Sequence, residues 1–185
     1  SKDAGASYKQ ISAWSLFAMP GAANLGTNQV MHSDHHCMVF RPGNTSFALF
    51  GNDGGIFRST NIRNTWPSVP SYTAVNKNFN VTQFYSCAAA NVVGSNNFIA
   101  GAQDNGSLKF NTPGVNSVTS VSGGDGCLVF IDQNNSNNQI TSYVYNNYYV
   151  STNASSFNLL SPSDYTGSFV NPSDLDGVND ILYSY

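Results

Sequence analysis

The strongest constraint on how this chain folds is a strand pattern that keeps returning, because a repeat of fixed length dictates an architecture rather than a local structure. Three Cys-centred segments, HHCMVFRP at 35–42, YSCAAANV at 85–92 and DGCLVFID at 125–132, align with one another, and TGSFVNPSD at 166–174 follows with Ser168 in the Cys position. The intervals from Cys37 to Cys87, Cys127 and Ser168 are 50, 40 and 41 residues. Each copy leads through a polar turn to a second strand: SFALFGNDGG, NFIAGAQDNG, QITSYVYNN and DILYSY. The first three copies add a third strand, GIFRST, GSLKFN and YYVSTN. Two then share a turn, with Ser59, Thr60 and Asn61 leading to Trp66, and Ser151, Thr152 and Asn153 leading to Phe157. The repeat unit is a meander of about four strands.

A period of about 40–50 residues with four strands per unit predicts an all-β fold of the β-propeller kind. A sandwich of similar strand count does not require turns and cysteines to recur at matched positions. The predicted blades are 32–80, 81–121 and 122–161, with 162–185 the first strands of a fourth. Residues 1–31 are either the end of a preceding blade, with its outer strand around Ala13–Ala18, or an N-terminal arm. Because a propeller closes only at about 4–8 blades, the chain is expected to be an incomplete arc, and the remaining blades of the same or a larger protein are its first expected partner.

Composition narrows the partners further. Seven Lys and Arg among 185 residues, with a net charge of −3, supply no basic footprint for nucleic acid or an anionic membrane. No apolar run approaches the roughly 18 residues of a membrane span, so none is expected. The start, SKDAGASYKQ, has no initiating Met and no leader pattern, which reads as a mature or internal piece. The surface is uncharged instead: 25 Asn, 25 Ser and 16 Gly suit many tight turns, in the manner of secreted bacterial proteins.

The strings HSDHHCMVFRP, FALFGNDGGIFRSTNIRNTW, FYSCAAANV, IAGAQDNGS and GGDGCLVFID resemble the Asp-box (BNR-type) propellers of secreted bacterial proteins, relatives of sortilin-type and xyloglucanase-type propellers. The resemblance covers residues 32–185. It implies a secreted or cell-surface protein, often glycosyl-hydrolase-like and often carrying a type IX secretion signal. The Asp-box turn, Ser-x-Asp-x-Gly-x-Thr-Trp, is matched by Ser59 to Trp66 at Ser, Thr and Trp, with Asn61 in place of Asp and Arg63 in place of Gly. Asn still caps backbone N–H groups, so the turn keeps its structural job.

If the first strand of each blade lines the channel, the loop before it and the turn after the second strand share one face. That face collects His32, Asp34, His35, His36, Gln83, Tyr85 and Asp125, with Asp53, Gln103, Asp104, Asn105, Asn146 and Asn147 in neighbouring turns. Ligand binding is assigned to His32, His35, His36, Gln83, Tyr85, Gln103, Asp104 and Asn105. Adjacent strand residues point to opposite sides, so His35 and His36 do not chelate one ion and no metal or cofactor is expected. Glycoside hydrolases pair two carboxylates. The xyloglucanase-type resemblance points to Asp34 as a catalytic carboxylate, with Asp125 second, while Asp53, Asp104 and Asp125 equally suit tight turns beside Gly or Asn. Cys37, Cys87 and Cys127 are predicted to be equivalent, buried and free. Tyr143, Tyr145, Tyr148 and Tyr149 are predicted to pack between blades rather than stack on sugars. Two functions compete: a binding or structural module recognising polysaccharide or a surface protein, and part of a xyloglucanase-like glycoside hydrolase.

Overall fold

The computed structural model describes residues 1, 3–14, 26–64, 68–79, 81–114, 118–160 and 166–185. They form an all-β protein with three four-stranded antiparallel sheets and one of two strands. No helix among them is long and apolar enough to cross a membrane. The chain divides into two compact units, Ser1–Asn80 and Val81–Tyr185.

The first unit holds one meander, β1 (His35–Arg41), β2 (Asn44–Asn52), β3 (Gly55–Ser59) and β4 (Thr73–Ala74), hydrogen-bonded in chain order. Asp53 and Gly54 close the hairpin between the paired Asn52 and Gly55, and Gly55 takes φ +106°. Alternation along β2 turns Ala48 and Phe50 onto one face, where Met31 and Tyr72 cover them with Phe57 and Ile62 alongside. The Phe50 and Tyr72 rings meet edge to face at 5.5 Å. Buried Gln29 ties the preceding segment down, donating from Nε2 to the Ile11 carbonyl (2.9 Å) and accepting the Gly26 N–H (3.1 Å). Of the outer strand expected around Ala13–Ala18, Ala13 makes an isolated parallel bridge with Val30; residues 15–25 and Trp66 lie outside the described residues.

The second unit contains β5 (Phe84–Ala89), β6 (Phe98–Ala102), β7 (Gly106–Phe110) and β8 (Val118–Ser122) in one sheet. A second is formed by β9 (Val129–Ile131), β10 (Gln139–Tyr143), β11 (Asn147–Ser151) and β12 (Asn158–Leu159), and a third by β13 (Ser173–Asp176) with β14 (Ile181–Ser184). The first two stack face to face: Ile99 is buried with Val129 and Ile131, and Ala88, Ala90, Val121 and Phe157 pack around them. Burying one such aliphatic side chain contributes roughly 1.5–3 kcal/mol. The approach is close enough that a methyl group at Gly101 would lie 1.8 Å from the Cys127 carbonyl oxygen. Ser86 stitches the same contact, donating to that carbonyl (3.1 Å) and accepting the Val129 N–H (2.8 Å). Lys109, buried on β7, donates to the Ala154 carbonyl, and burial holds its ammonium below the usual lysine range.

The predicted equivalence of the three cysteines fails. Counting back from each hairpin's closing pair, Asn52–Gly55, Ala102–Gly106 and Tyr143–Asn147, the residues Gly51, Gly101 and Ser142 correspond. Cys37 lies opposite Gly51, but Ser86 lies opposite Gly101 and Cys87 opposes the next residue, Ala100. Cys127 precedes β9 altogether and donates its N–H to the Ser142 carbonyl (2.9 Å). A slip of one residue reverses the face a side chain occupies. Cys37, on a strand exposed along its whole length, and Cys87 are exposed, only Cys127 is buried, and all three are free thiols.

The fourth copy shifts too. Ser168 is not in a strand; its N–H is held by Asn171 Oδ1 (3.0 Å), and the first strand begins five residues later at Ser173. Asn171 is buried and donates from Nδ2 to Asn146 Oδ1 (3.1 Å), Ser184 Oγ (3.1 Å) and the Tyr185 carbonyl (2.8 Å). A polar side chain with this many bonds at the sheet end outweighs continuation of a strand through 166–172.

Candidate functional site

The expected site residues fall into one cluster in each unit. In the first, the loop before β1 meets the β2–β3 turn. His36 Nε2 is bound to Asp53 Oδ1. Asn52 donates to the His32 carbonyl (3.2 Å), and a methyl group at Gly54 would lie 2.4 Å from His32 Cβ, so only glycine lets the turn approach. The His35 ring instead lies edge-on to Phe50 at 6.3 Å. The two adjacent histidines thus have separate partners, across the irregular register between His35 and Cys37. Asp34 is exposed with φ +56°, and one of its carboxylate oxygens lies within 4.8 Å of one of Asp53. Asn76 completes the turn, accepting the Ile56 N–H (2.7 Å) and donating to the Gly54 carbonyl (2.8 Å). Nothing in the sequence links Asn76 to a turn more than 20 residues earlier.

In the second unit, Gln83 and Gln103 are joined through their backbones, the Gln103 N–H donating to the Gln83 carbonyl (3.0 Å). Asp125 Oδ1 accepts the Asp104 N–H (3.1 Å), Asp104 itself taking φ +59° in the β6–β7 turn. Asp125 therefore caps a turn of the neighbouring sheet rather than its own. Asn105 Nδ2 donates to the Gln103 carbonyl (3.0 Å). Partial burial raises the Tyr85 hydroxyl above the usual tyrosine range, and the charge of Asp125 adds to it, followed by Cys127 and Asp104. Tyr148 is buried with its hydroxyl on Ser184 (3.0 Å), and Tyr145 meets Phe169 edge to face at 6.0 Å, both as packing contacts.

Two carboxylates that the sequence reading passed over are prominent here. Asp132 is buried and accepts from Asn134 N (2.7 Å), Asn135 N (3.2 Å) and Asn138 Nδ2 (3.0 Å), bonds that hold it below the ordinary carboxylate range, the Asn134 bond first. Its negative charge pushes the carboxyl of Asp180 upward. The signal was the Asp-x-Asn-Asn string itself, an Asx-turn signature inside a segment that otherwise reads as loop.

The Ser-x-Asn turns recur in detail. Ser59 donates to Asn61 Oδ1 (3.1 Å) and Ser151 to Asn153 Oδ1 (3.1 Å), while each Asn N–H returns to the Ser hydroxyl (3.3 and 3.4 Å). Both serines are buried. The two Asn oxygens then cap further N–H groups, Ser71 in one turn and Ser155 with Ser156 in the other.

No protein-family model matches the sequence, and no curated protein matches it. Among solved structures the chain is similar to the crystal structure of an ancestral GH74 enzyme, with a TM-score of 0.45 and 16% identity. The match covers 82% of this chain and 21% of that one, so the chain spans about a fifth of the enzyme's length.

Proposed function

We propose that this chain is an arc of a secreted or cell-surface β-propeller of the Asp-box type, acting as a binding or structural module that recognises polysaccharide or a surface protein. The propeller reading is supported by the recurrence of the four-stranded meander, by the matched Ser59–Asn61 and Ser151–Asn153 turns, and by the stacking of consecutive sheets in the second unit. In this reading the blades are 32–80, 81–121 and 122–161, with 162–185 opening the next and 1–31 ending the one before. The remaining blades belong to the rest of the propeller.

The observation that carries the binding role is how the polar residues at the strand ends are employed. Asp125 caps the Asp104 turn, His36 sits on Asp53 and Asn105 braces Gln103. Such bonds hold the polar side chains of each unit rigidly at its strand ends, which favours recognition at low entropic cost. Titration calorimetry against a panel of polysaccharides tests it: saturable binding is expected, weakened about tenfold or more by His35→Ala or Gln103→Ala with circular dichroism unchanged. Absence of binding to every glycan removes the polysaccharide arm.

One observation favours the hydrolase reading, with Asp34 as the catalytic carboxylate: the oxygen of Asp53 within 4.8 Å. Retaining glycosidases place two carboxyl groups about 5–5.5 Å apart. Release of reducing sugar from a xyloglucan-type polysaccharide, abolished by Asp34→Asn in a folded protein, is the expected result. A panel on which no sugar is released ends that reading.

A further inference from the structure

The two stacked sheets of the second unit meet across a face whose character changes from one strand to the next. On one side, Ile99 of β6 opposes Lys109 of β7, Gly101 opposes Ser107, and Ser107 in turn opposes Ser122 of β8. On the other, Val129 of β9 opposes Thr141 of β10 and Ile131 opposes Gln139. Directly opposed residues share a face, so these rows point into the contact that Ile99, Val129 and Ile131 fill with aliphatic side chains. One strand further out, at Ser107 and Lys109 of β7 and at Gln139 and Thr141 of β10, the same rows are polar.

Three contacts align β10 with β7. Gln139 Nε2 donates to Asn97 Oδ1 (3.2 Å), next to the Phe98–Phe110 pair at one end of the β6–β7 hairpin. At the other end, Gly124 accepts the Gly106 N–H (2.6 Å), and a methyl group on Gly124 would lie 2.5 Å from the Tyr143 ring. Thr141, midway between Gln139 and Tyr143, is therefore level with the middle of β7. Lys109 reaches across to the Ala154 carbonyl of the facing sheet, which turns Ser107, two residues before it, the same way.

Ser107, Gln139 and Thr141 are each 0% exposed. Yet Ser107 Oγ, Ser122 Oγ, Thr141 Oγ1 and Gln139 Oε1 are buried with no hydrogen-bond partner among the described residues. The Gln139 amide nitrogen is already engaged, with Asn97 and with the Ser136 carbonyl (2.9 Å), so the acceptor oxygen is what remains. Polar atoms in a native interior are rarely left unbonded, because each loses its bonds to solvent on burial.

We infer that the outer half of this contact is a binding site for structural water, held by Ser107, Ser122, Thr141 and Gln139. The donor and acceptor set selects water over an ion. Gln139 Oε1 can only accept, which opposes a halide, and the Lys109 ammonium on the same face opposes a metal cation. A water donates to Gln139 and either donates to or accepts from the three hydroxyls, within the two to four bonds typical of a buried water. The sheets are then joined by a dry aliphatic half and a hydrated polar half, both enclosed within one unit.

Oxygen-17 relaxation dispersion of the solvent, recorded on the 185-residue chain, tests this by detecting water with a long residence time. A long-lived component is expected, with its amplitude reduced in the near-isosteric Thr141→Val. Urea unfolding supplies a second readout whose sign separates the two cases. If the hydroxyl is bonded to water, Thr141→Val lowers the folding equilibrium constant about three- to tenfold; if it is buried without a partner, the same change raises it. Ser107→Ala gives the same two readouts should Thr141→Val fail to fold. An amplitude unchanged by the substitution overturns the proposal, as does a variant more stable than the parent. Sodium or chloride relaxation that reports a bound ion lost on the same substitution overturns it as well.

Discussion

Gly101→Ala probes the contact that holds the first two sheets of the second unit together. The new methyl group would lie 1.8 Å from the Cys127 carbonyl oxygen and 2.9 Å from the Gly126 carbonyl carbon, both backbone atoms with no rotamer to move aside. Reaching even 3.0 Å requires the 126–127 segment to retreat by roughly 1.2 Å. That retreat stretches the Ser86 bond to Cys127 (3.1 Å), the Val129 bond to Ser86 (2.8 Å) and the Gly126 bond to Ala102 (2.9 Å). Overpacking costs about 1–3 kcal/mol and each weakened hydrogen bond up to about 1 kcal/mol. Alanine recovers about 0.4–1 kcal/mol by stiffening the unfolded chain. The net expectation is destabilisation by about 2–4 kcal/mol. Urea unfolding followed by circular dichroism measures it, with hydrogen exchange at β6 and β9 locating the loss. Gly123→Ala is the control: nothing lies within 4 Å of its added methyl, so a change within about 0.5 kcal/mol is expected. A Gly101→Ala protein as stable as the parent would refute the stacking geometry.

The remaining predictions concern the hairpin and the thiols. Asn171→Ala removes a buried amide's bonds to the Ser168 N–H, Asn146 and Ser184, and should destabilise by about 1–2 kcal/mol, with β13–β14 amides exchanging faster than those of β9–β11; uniform protection would contradict the role given to Asn171. A thiol reagent at neutral pH should modify Cys37 and Cys87 quickly and Cys127 only on unfolding. Burial, with a smaller effect from Asp125, pushes the Cys127 thiol up to about 11. Between about pH 9 and 11 the unfolded chain therefore loses this proton while the folded one keeps it, so stability falls as pH rises through that window and this group has no effect below it. Cys127→Ala should flatten the slope, and an unchanged slope would show that other groups set it.

Much of the strand inventory was legible because period-two alternation and turn chemistry act locally. The second and third strands of each copy lie where GNDGG, AQDNG and YVYNN place their hairpins, since Gly, Asp and Asn tolerate the positive φ seen at Gly55, Asp104 and Asn146. Local chemistry also announces the Ser-x-Asn turns. Register was not legible: the irregularities before Cys37 and Ser86 each displace the alignment, and three cysteines that look equivalent in sequence occupy three different positions. The site shows the same division. His36 and Asp53 could be expected near one another from the hairpin alone, but Asp125 capping the Asp104 turn and Asp132 charging against Asp180 are contacts between sheets.

The sequence by itself determined that this protein is a series of antiparallel meanders with polar hairpins, because those features depend on residues within a few positions of one another. Only the tertiary structure decided which carboxylates are consumed as caps, which cysteine is buried, and which apolar face is left half-exposed at Met38 and Phe40. Each of those depends on which sheet lies against which, and a single-residue change of register is enough to turn a side chain from the covered face to the open one.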